Sequence, residues 1–170
     1  MKKVILFISL FVTCINLFSQ SEFNQIVIDE MIDEEILLGY CDLDGLTSDP
    51  FNIWFEPEYE SYQIDQESLD QINPELLNEL EVKMVLGTWC GDSQREVPRF
   101  YKIADYLNFD NISIMAVNAS KRAEGTKVSE LGIQWVPTFI IYYKGKEIGR
   151  IVESPDQSLE KDLLQLLSSI

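Results

Sequence analysis

The sequence predicts an α/β sandwich in which helices flank a mixed sheet. Three features carry that prediction. An apolar strand, "VKMVLGTW", runs directly into a segment of helical periodicity from Gly91 to Leu107. A second apolar strand, "ISIMAVNAS", follows it. The third is "TFIIYYKGKEIGRIVE", two strands joined at a Lys-Gly turn and followed by an amphipathic helix.

Taken in order, the chain opens "MKKVILFISLFVTCINLFSQ", with Lys2 and Lys3 before a mostly apolar run from Val4 to Phe18. This predicts a secretory signal peptide over residues 1–19, cut near Ser19 or Gln20. About 15 apolar residues, interrupted by Thr13 and Asn16, fall short of the roughly 20 needed to span a bilayer. The mature chain is therefore expected to be exported, periplasmic or secreted, with no stable membrane insertion. Cys14, after "FVT", offers an alternative as a lipid-bearing cysteine, although the motif match is poor.

Residues 20–58 read as an N-terminal extension, helical and extended in turn. Phe23, Ile26, Val27, Met31, Ile32, Ile36 and Leu38 give a helix-like stripe on an acidic segment. "GYCDLDGLTSDP" breaks that stripe, and "FNIWFEPEYESY" is aromatic and in part extended. Residues 59–170 form the main domain. In "INPELLNEL", Asn73 is a helix cap with Pro74 at the first helical position. Val97, Phe100, Tyr101, Ala104 and Leu107 place Cys90 at a helix N-terminus. The last helix carries Leu159, Leu163, Leu166, Leu167 and Ile170 on one face, with a capping box from Ser154 to Gln157.

The 170 residues include 13 basic and 29 acidic side chains, for a net charge of −16. The predicted leader holds Lys2 and Lys3 but no acid, so its removal makes the chain more negative still. Such a polyanion repels phosphate backbones, which argues against nucleic-acid binding. There is no histidine, and Cys41 and Cys90 lie far apart with no C-x-x-C between them. That removes the usual zinc clusters and any Ser-His or Cys-His pair, so neither metal nor cofactor is expected. The length suits one monomeric domain with an extension, able to bury a core without disulfides.

These residues resemble the thioredoxin superfamily. "VKMVLGTW" ends in Trp89-Cys90-Gly91, as in the family's W-C-G-P-C motif. Pro98 falls where thioredoxin-like helices carry a kinking proline, and "GIQWVPTFIIYYKGKE" is similar to the family's G-I-x-x-x-P-T segment. The resemblance spans roughly residues 59–170. It implies a thioredoxin-like three-layer sandwich with a cis peptide before Pro137. Three departures from the pattern involve four positions. Asp92 and Ser93 stand where the motif has proline and cysteine, the family's buried acid falls on Met84, and Glu153 stands near a frequent groove glycine.

On this reading Cys90 is the nucleophile. Unpaired backbone N–H groups and the positive end of the helix dipole favour its thiolate, and Ser93 one turn on is expected to donate to the sulfur. Asp92 opposes this by about 0.7 kcal/mol at roughly 6 Å in water, and Arg95 offsets Asp92. Trp89, Gly91, Asp92, Val136 and Pro137 are the expected substrate-binding residues, with the Val136 backbone pairing to a substrate strand. Blander roles stand beside these: Cys90 as an inert buried thiol, Trp89 and Trp135 as core aromatics, and Ser93 as a helix cap.

Three functions follow. The leading one is an exported monothiol protein that exchanges or isomerises protein or small-molecule disulfides. The alternatives are a non-catalytic module binding extended peptides, and a redox-responsive structural protein that pairs Cys41 with Cys90.

Overall fold

In a computed structural model that describes residues 23–170, six strands form one mixed sheet in the order β1-β2-β4-β3-β5-β6. The expected leader and Cys14 lie outside the described residues. No helix among the described residues is long and apolar enough to cross a membrane.

Strands β1 (Gln25–Asp29) and β2 (Glu34–Cys41) form an antiparallel hairpin where the apolar spacing suggests a helix. The β-branched run Ile26-Val27-Ile28 favours extended backbone. The turn is closed by backbone bonds from Ile32 N and Asp33 N to Asp29 O, with Asp33 in the left-handed region at φ 56°. Ile36 and Leu37 are fully buried, which fixes the register of β2. β2 then pairs antiparallel with β4 (Ile112–Ala116), Cys41 opposite Ile114. The expected extension is thus part of the central sheet.

Helix α1 (Leu43–Thr47) is capped by Asp42, whose carboxylate accepts from Gly45 N at 3.2 Å. "FNIWFEPEYESY" is helical rather than extended: α2 spans Asn52–Ser61, so a boundary at residue 58 falls within it. Its aromatic residues Phe55 and Tyr59 stack on one face, 6.2 Å between ring centroids. Two short helices follow, α3 (Gln66–Leu69) and α4 (Pro74–Leu77), the latter capped by Asn73 as expected.

Strand β3 (Leu80–Leu86) runs parallel to β4 and antiparallel to β5 (Thr138–Tyr143), which turns at Lys144-Gly145 into β6 (Lys146–Val152). Helix α5 covers Gly91–Leu107 and α6 covers Leu159–Leu167. The α6 cap is Ser158, which accepts from Lys161 N at 3.2 Å, instead of Ser154. Ser154 is engaged elsewhere, by Arg95 at 3.0 Å.

Alternation along the strands sorts the interior into two layers. Val82, Met84, Leu86, Ile114, Phe139 and Ile141 point to one face, where α5, α2 and α6 pack through Val97, Phe100, Phe55 and Leu163. Val85, Met115 and Val117 point to the other, covered by Ala123, Val136 and Val128 of the 3-10 turn Val128–Glu130. On the first face, Arg99 clamps Glu58 at 2.6 Å and Lys102 donates to Glu60 O at 2.9 Å, fastening α2 along α5. Cys90 stands where the strand layer gives way to that helix pair.

Candidate active site

Cys90 is the N-cap of α5, in extended backbone conformation, and its carbonyl accepts the first intrahelical bond from Gln94 N at 2.9 Å. The helix N-terminus therefore faces the half-buried thiol with its unpaired N–H groups. The turn that delivers the sulfur is fixed from three sides. Cys90 N donates to Gly87 O at 2.9 Å, Gln94 Nε2 to Thr88 O at 2.8 Å, and Leu37 N of β2 to Thr88 Oγ1 at 3.2 Å. Trp89 lies over Gly87: a Cβ there would meet the indole at 2.6 Å, so any side chain at this position would have to displace the tryptophan. The indole N–H is spent on Val117 O at 2.9 Å, which holds Trp89 beside Cys90.

The thiol donates to Val136 O at 3.2 Å. Val136 is buried, and its bond to Pro137 is cis, as the resemblance implies. Trp135 O accepts from Thr138 Oγ1 at 2.7 Å, and Pro137 O accepts from Glu153 N at 2.7 Å. Glu153 adopts φ 59°, the left-handed backbone that explains why a glycine suits this position. The N–H of Val136 has no partner among the described residues. The Val136 carbonyl thus stands at the sulfur, and its N–H is left for another partner, the two groups a ladder-pairing chain uses.

Ser93 sits elsewhere than the sequence suggests. It is 0% exposed and its hydroxyl accepts from Gly87 N at 3.2 Å, with no hydrogen bond to the sulfur among the described residues. Asp92 is neutralised as expected: Arg95 Nη2 stands 2.7 Å from its carboxylate. The same guanidinium holds Glu96 at 2.6 Å, a carboxylate 3% exposed, and these hydrogen bonds, Glu96 first, raise the Arg95 pKa. Gly91 is exposed at the site's mouth. Met84 is fully buried among apolar residues.

Both described cysteines are free thiols, and the structure does not bring Cys41 and Cys90 together. Cys41 lies in the core layer beneath α5 near Tyr101, whose phenol pKa is raised first by burial and then by the neighbouring Cys41. Tyr101 is eleven residues along α5 from Cys90, about 16 Å of helix rise. Cys41 belongs to the core layer beneath α5 and Cys90 packs against the opposite layer, so the disulfide that the sequence left open is not formed in this structure. Burial, reinforced by Asp42, pushes the Cys41 thiol up to about 12.

Two features of the rim had no signal in the sequence. Lys121 reaches over the rings of both Trp89 and Trp135, 6.0 and 5.7 Å from their centroids. A groove of about 490 Å³ opens beside Gly91, with Trp54, Pro57, Glu58 and Ser61 of α2 as one wall and Gln94 and Arg95 as the other. Both depend on residues remote in sequence, which local periodicity does not connect. Among the described residues no cluster of three or more metal-ligating side chains occurs.

Comparison with known proteins points to the same fold. A thioredoxin-like protein of Acanthamoeba polyphaga mimivirus is 31% identical over 46% of this chain and 56% of its own length. The mitochondrial thioredoxin O of Oryza sativa subsp. japonica is 34% identical over 45% of this chain and 47% of its own. The chain thus spans about half the length of these curated relatives. Among solved structures, the reduced thioredoxin pre-protein of Schistosoma mansoni is 26% identical, covering 62% of this chain and 89% of its own, with a TM-score of 0.38. The thioredoxin of Malassezia sympodialis is 25% identical, covering 54% and 74%, with a TM-score of 0.39. The thioredoxin family model matches residues 69–165, more than half of the chain and all of the site from Trp89 to Pro137. By that match the chain belongs to the thioredoxin family.

Proposed function

We propose that this protein performs thiol–disulfide exchange through Cys90 as a monothiol, acting on protein or small-molecule disulfides outside the cytoplasm. The observation that carries the reading is the placement of the Cys90 thiol at the start of α5, within hydrogen-bond reach of the Val136 carbonyl. Loss of the thiol proton ends the donation to Val136 O and leaves the sulfur as the attacking nucleophile. A substrate strand can then use both polar groups of Val136 while its disulfide lies against the sulfur.

In the reaction the Cys90 thiolate attacks one substrate sulfur. A Cys90–substrate disulfide forms, the substrate S–S bond breaks, and the displaced sulfur leaves as a thiolate that takes a proton from solvent. Ser93 supplies no second thiol, and Cys41 lies too far away in the core. The mixed disulfide is therefore resolved from outside: by a different cysteine of the substrate, which isomerises it, or by an external thiol, which goes on to reduce it. Export rests on the leader pattern of residues 1–19, and the expected mature start is near Gln20 or Ser21, readable as intact mass from the native host.

The test is a pair of variants. Cys90→Ser should abolish mixed-disulfide formation with a peptide disulfide, because a hydroxyl is far less ionised at neutral pH. Cys41→Ser should retain it. Exchange that survives Cys90→Ser would overturn the proposal.

A further inference from the structure

We propose that Lys121, held between Trp89 and Trp135, is a specificity residue that favours peptide disulfides whose cysteine is flanked by a carboxylate. The inference rests on Cys90 being the exchanging thiol. Its geometry comes from two independent parts of the chain that meet at the sulfur. Trp89 precedes Cys90, and Trp135 precedes Val136, whose carbonyl accepts from the thiol at 3.2 Å. The Lys121 ammonium lies 6.0 Å from one ring and 5.7 Å from the other. Trp135 is 54% exposed, so a large aromatic surface lies open on the rim where an extended substrate would pass.

The loop that presents Lys121 is built for that placement. Lys121 N donates to Asn118 O at 2.8 Å, Arg122 N to Asn118 Oδ1 at 2.9 Å, and Asn118 N to Arg122 O at 3.0 Å. Lys121 itself adopts φ 60°, a left-handed backbone that a long side chain rarely occupies. The loop is also moored from outside. Asp29, 7% exposed at the tip of the N-terminal hairpin, accepts from Ala119 N at 2.7 Å and from Met31 N at 2.8 Å. These bonds place the Lys121 backbone, from which the side chain carries its ammonium over the two rings.

Charge says which substrate this suits. The chain carries a net −16, so its field repels acidic segments and attracts basic or neutral ones without help. A cation at the mouth of the site is useful to the substrates that field opposes. No carboxylate lies within salt-bridge distance of Lys121 among the described residues. Its ammonium is therefore free to donate a charge-assisted hydrogen bond to a substrate carboxylate, in surroundings that the two indoles make less aqueous. The exchange step is unchanged: Cys90 bonds to the proximal sulfur and the distal sulfur departs as a thiolate. Lys121 acts on which disulfide arrives.

The experiment uses two symmetrical peptide disulfides that differ only in Glu or Gln on either side of the cysteine, with oxidised glutathione as a small anionic disulfide. Rates of mixed-disulfide formation are measured for the wild type, Lys121→Glu and Lys146→Glu. The last makes the same charge change at the start of β6, away from Pro137. Lys121→Glu should lower the Glu-to-Gln rate ratio by about three- to tenfold, an effect that shrinks as salt is added, while Lys146→Glu leaves the ratio within about 1.5-fold. Equal ratios in the two variants would overturn the assignment. Dependence on Lys121 with oxidised glutathione but not with the Glu peptide would overturn the peptide class in favour of a small anionic thiol. If Cys90 in the wild type reacts with none of the three, the exchange reading falls, and this inference with it.

Discussion

Replacing Ser93 with alanine separates a structural from a catalytic role for the residue that stands in place of a second cysteine. In the structure its hydroxyl is fully buried and accepts from Gly87 N at 3.2 Å. Ser93→Ala leaves that buried N–H without an acceptor, and an orphaned donor of this kind costs about 1–3 kcal/mol. The void left by one oxygen atom adds little. At a central value of about 2 kcal/mol, and about 2–4 °C per kcal/mol for a chain of this size, the midpoint should fall by about 4–8 °C. Thermal melts followed by circular dichroism, with urea titration as an independent measure, read the loss directly. The rate of Cys90 exchange should change much less than the stability, because the hydroxyl is bonded to backbone and not to sulfur. A Ser93→Ala protein that melts with the wild type but exchanges more than about tenfold slower would refute this assignment and return the hydroxyl to the sulfur.

Two further outcomes follow from the core. With its folded pKa raised from 9.0 to about 12, Cys41 contributes stability that is fully present below pH 9 and is lost as pH rises toward 12. A Cys41→Ala variant should therefore lose less stability than the wild type across that window in alkaline urea titrations, and parallel curves would refute it. Gly87→Ala sets a methyl 2.6 Å from the Trp89 indole. It should displace Trp89 from Val117 O, cost about 1–3 kcal/mol, and shift the tryptophan emission, whereas an unchanged spectrum and midpoint would refute the close approach.

The site's centre was legible because its signals are local. "VKMVLGTW" followed by helical spacing places Cys90 at a helix start, and Lys144-Gly145 marks the β5-β6 turn, where both residues take left-handed backbone. The N-terminal segment was not. Its apolar residues satisfy a helical stripe, yet Ile26 and Ile28 point outward along an edge strand while Ile36 and Leu37 point into the core. Only pairing with β4, some 70 residues later, decides between the two. Ser93 misled for a related reason: its nearest donor in space is Gly87 N, at the end of the preceding strand. Lys121 carries no motif at all, since its placement depends on Asp29 and on two tryptophans from separate segments.

The seating of β2 between β1 and β4 bears on how the molecule divides. A fragment cut at the start of the matched region would lose two of six strands and bare the hydrogen-bonding edge of β4 across Ile114–Ala116. Open edges of this kind are templates for pairing with other chains. It would also strip the Thr88 hydroxyl of its Leu37 donor and the 118–122 loop of its Asp29 anchor. The portion that resembles a thioredoxin is therefore not a self-sufficient unit here. The hairpin over residues 25–41 shields the sheet edge as a built-in chaperone would and buttresses the turn at Cys90, so insertions are better tolerated at the exposed Lys144-Gly145 turn than within that hairpin.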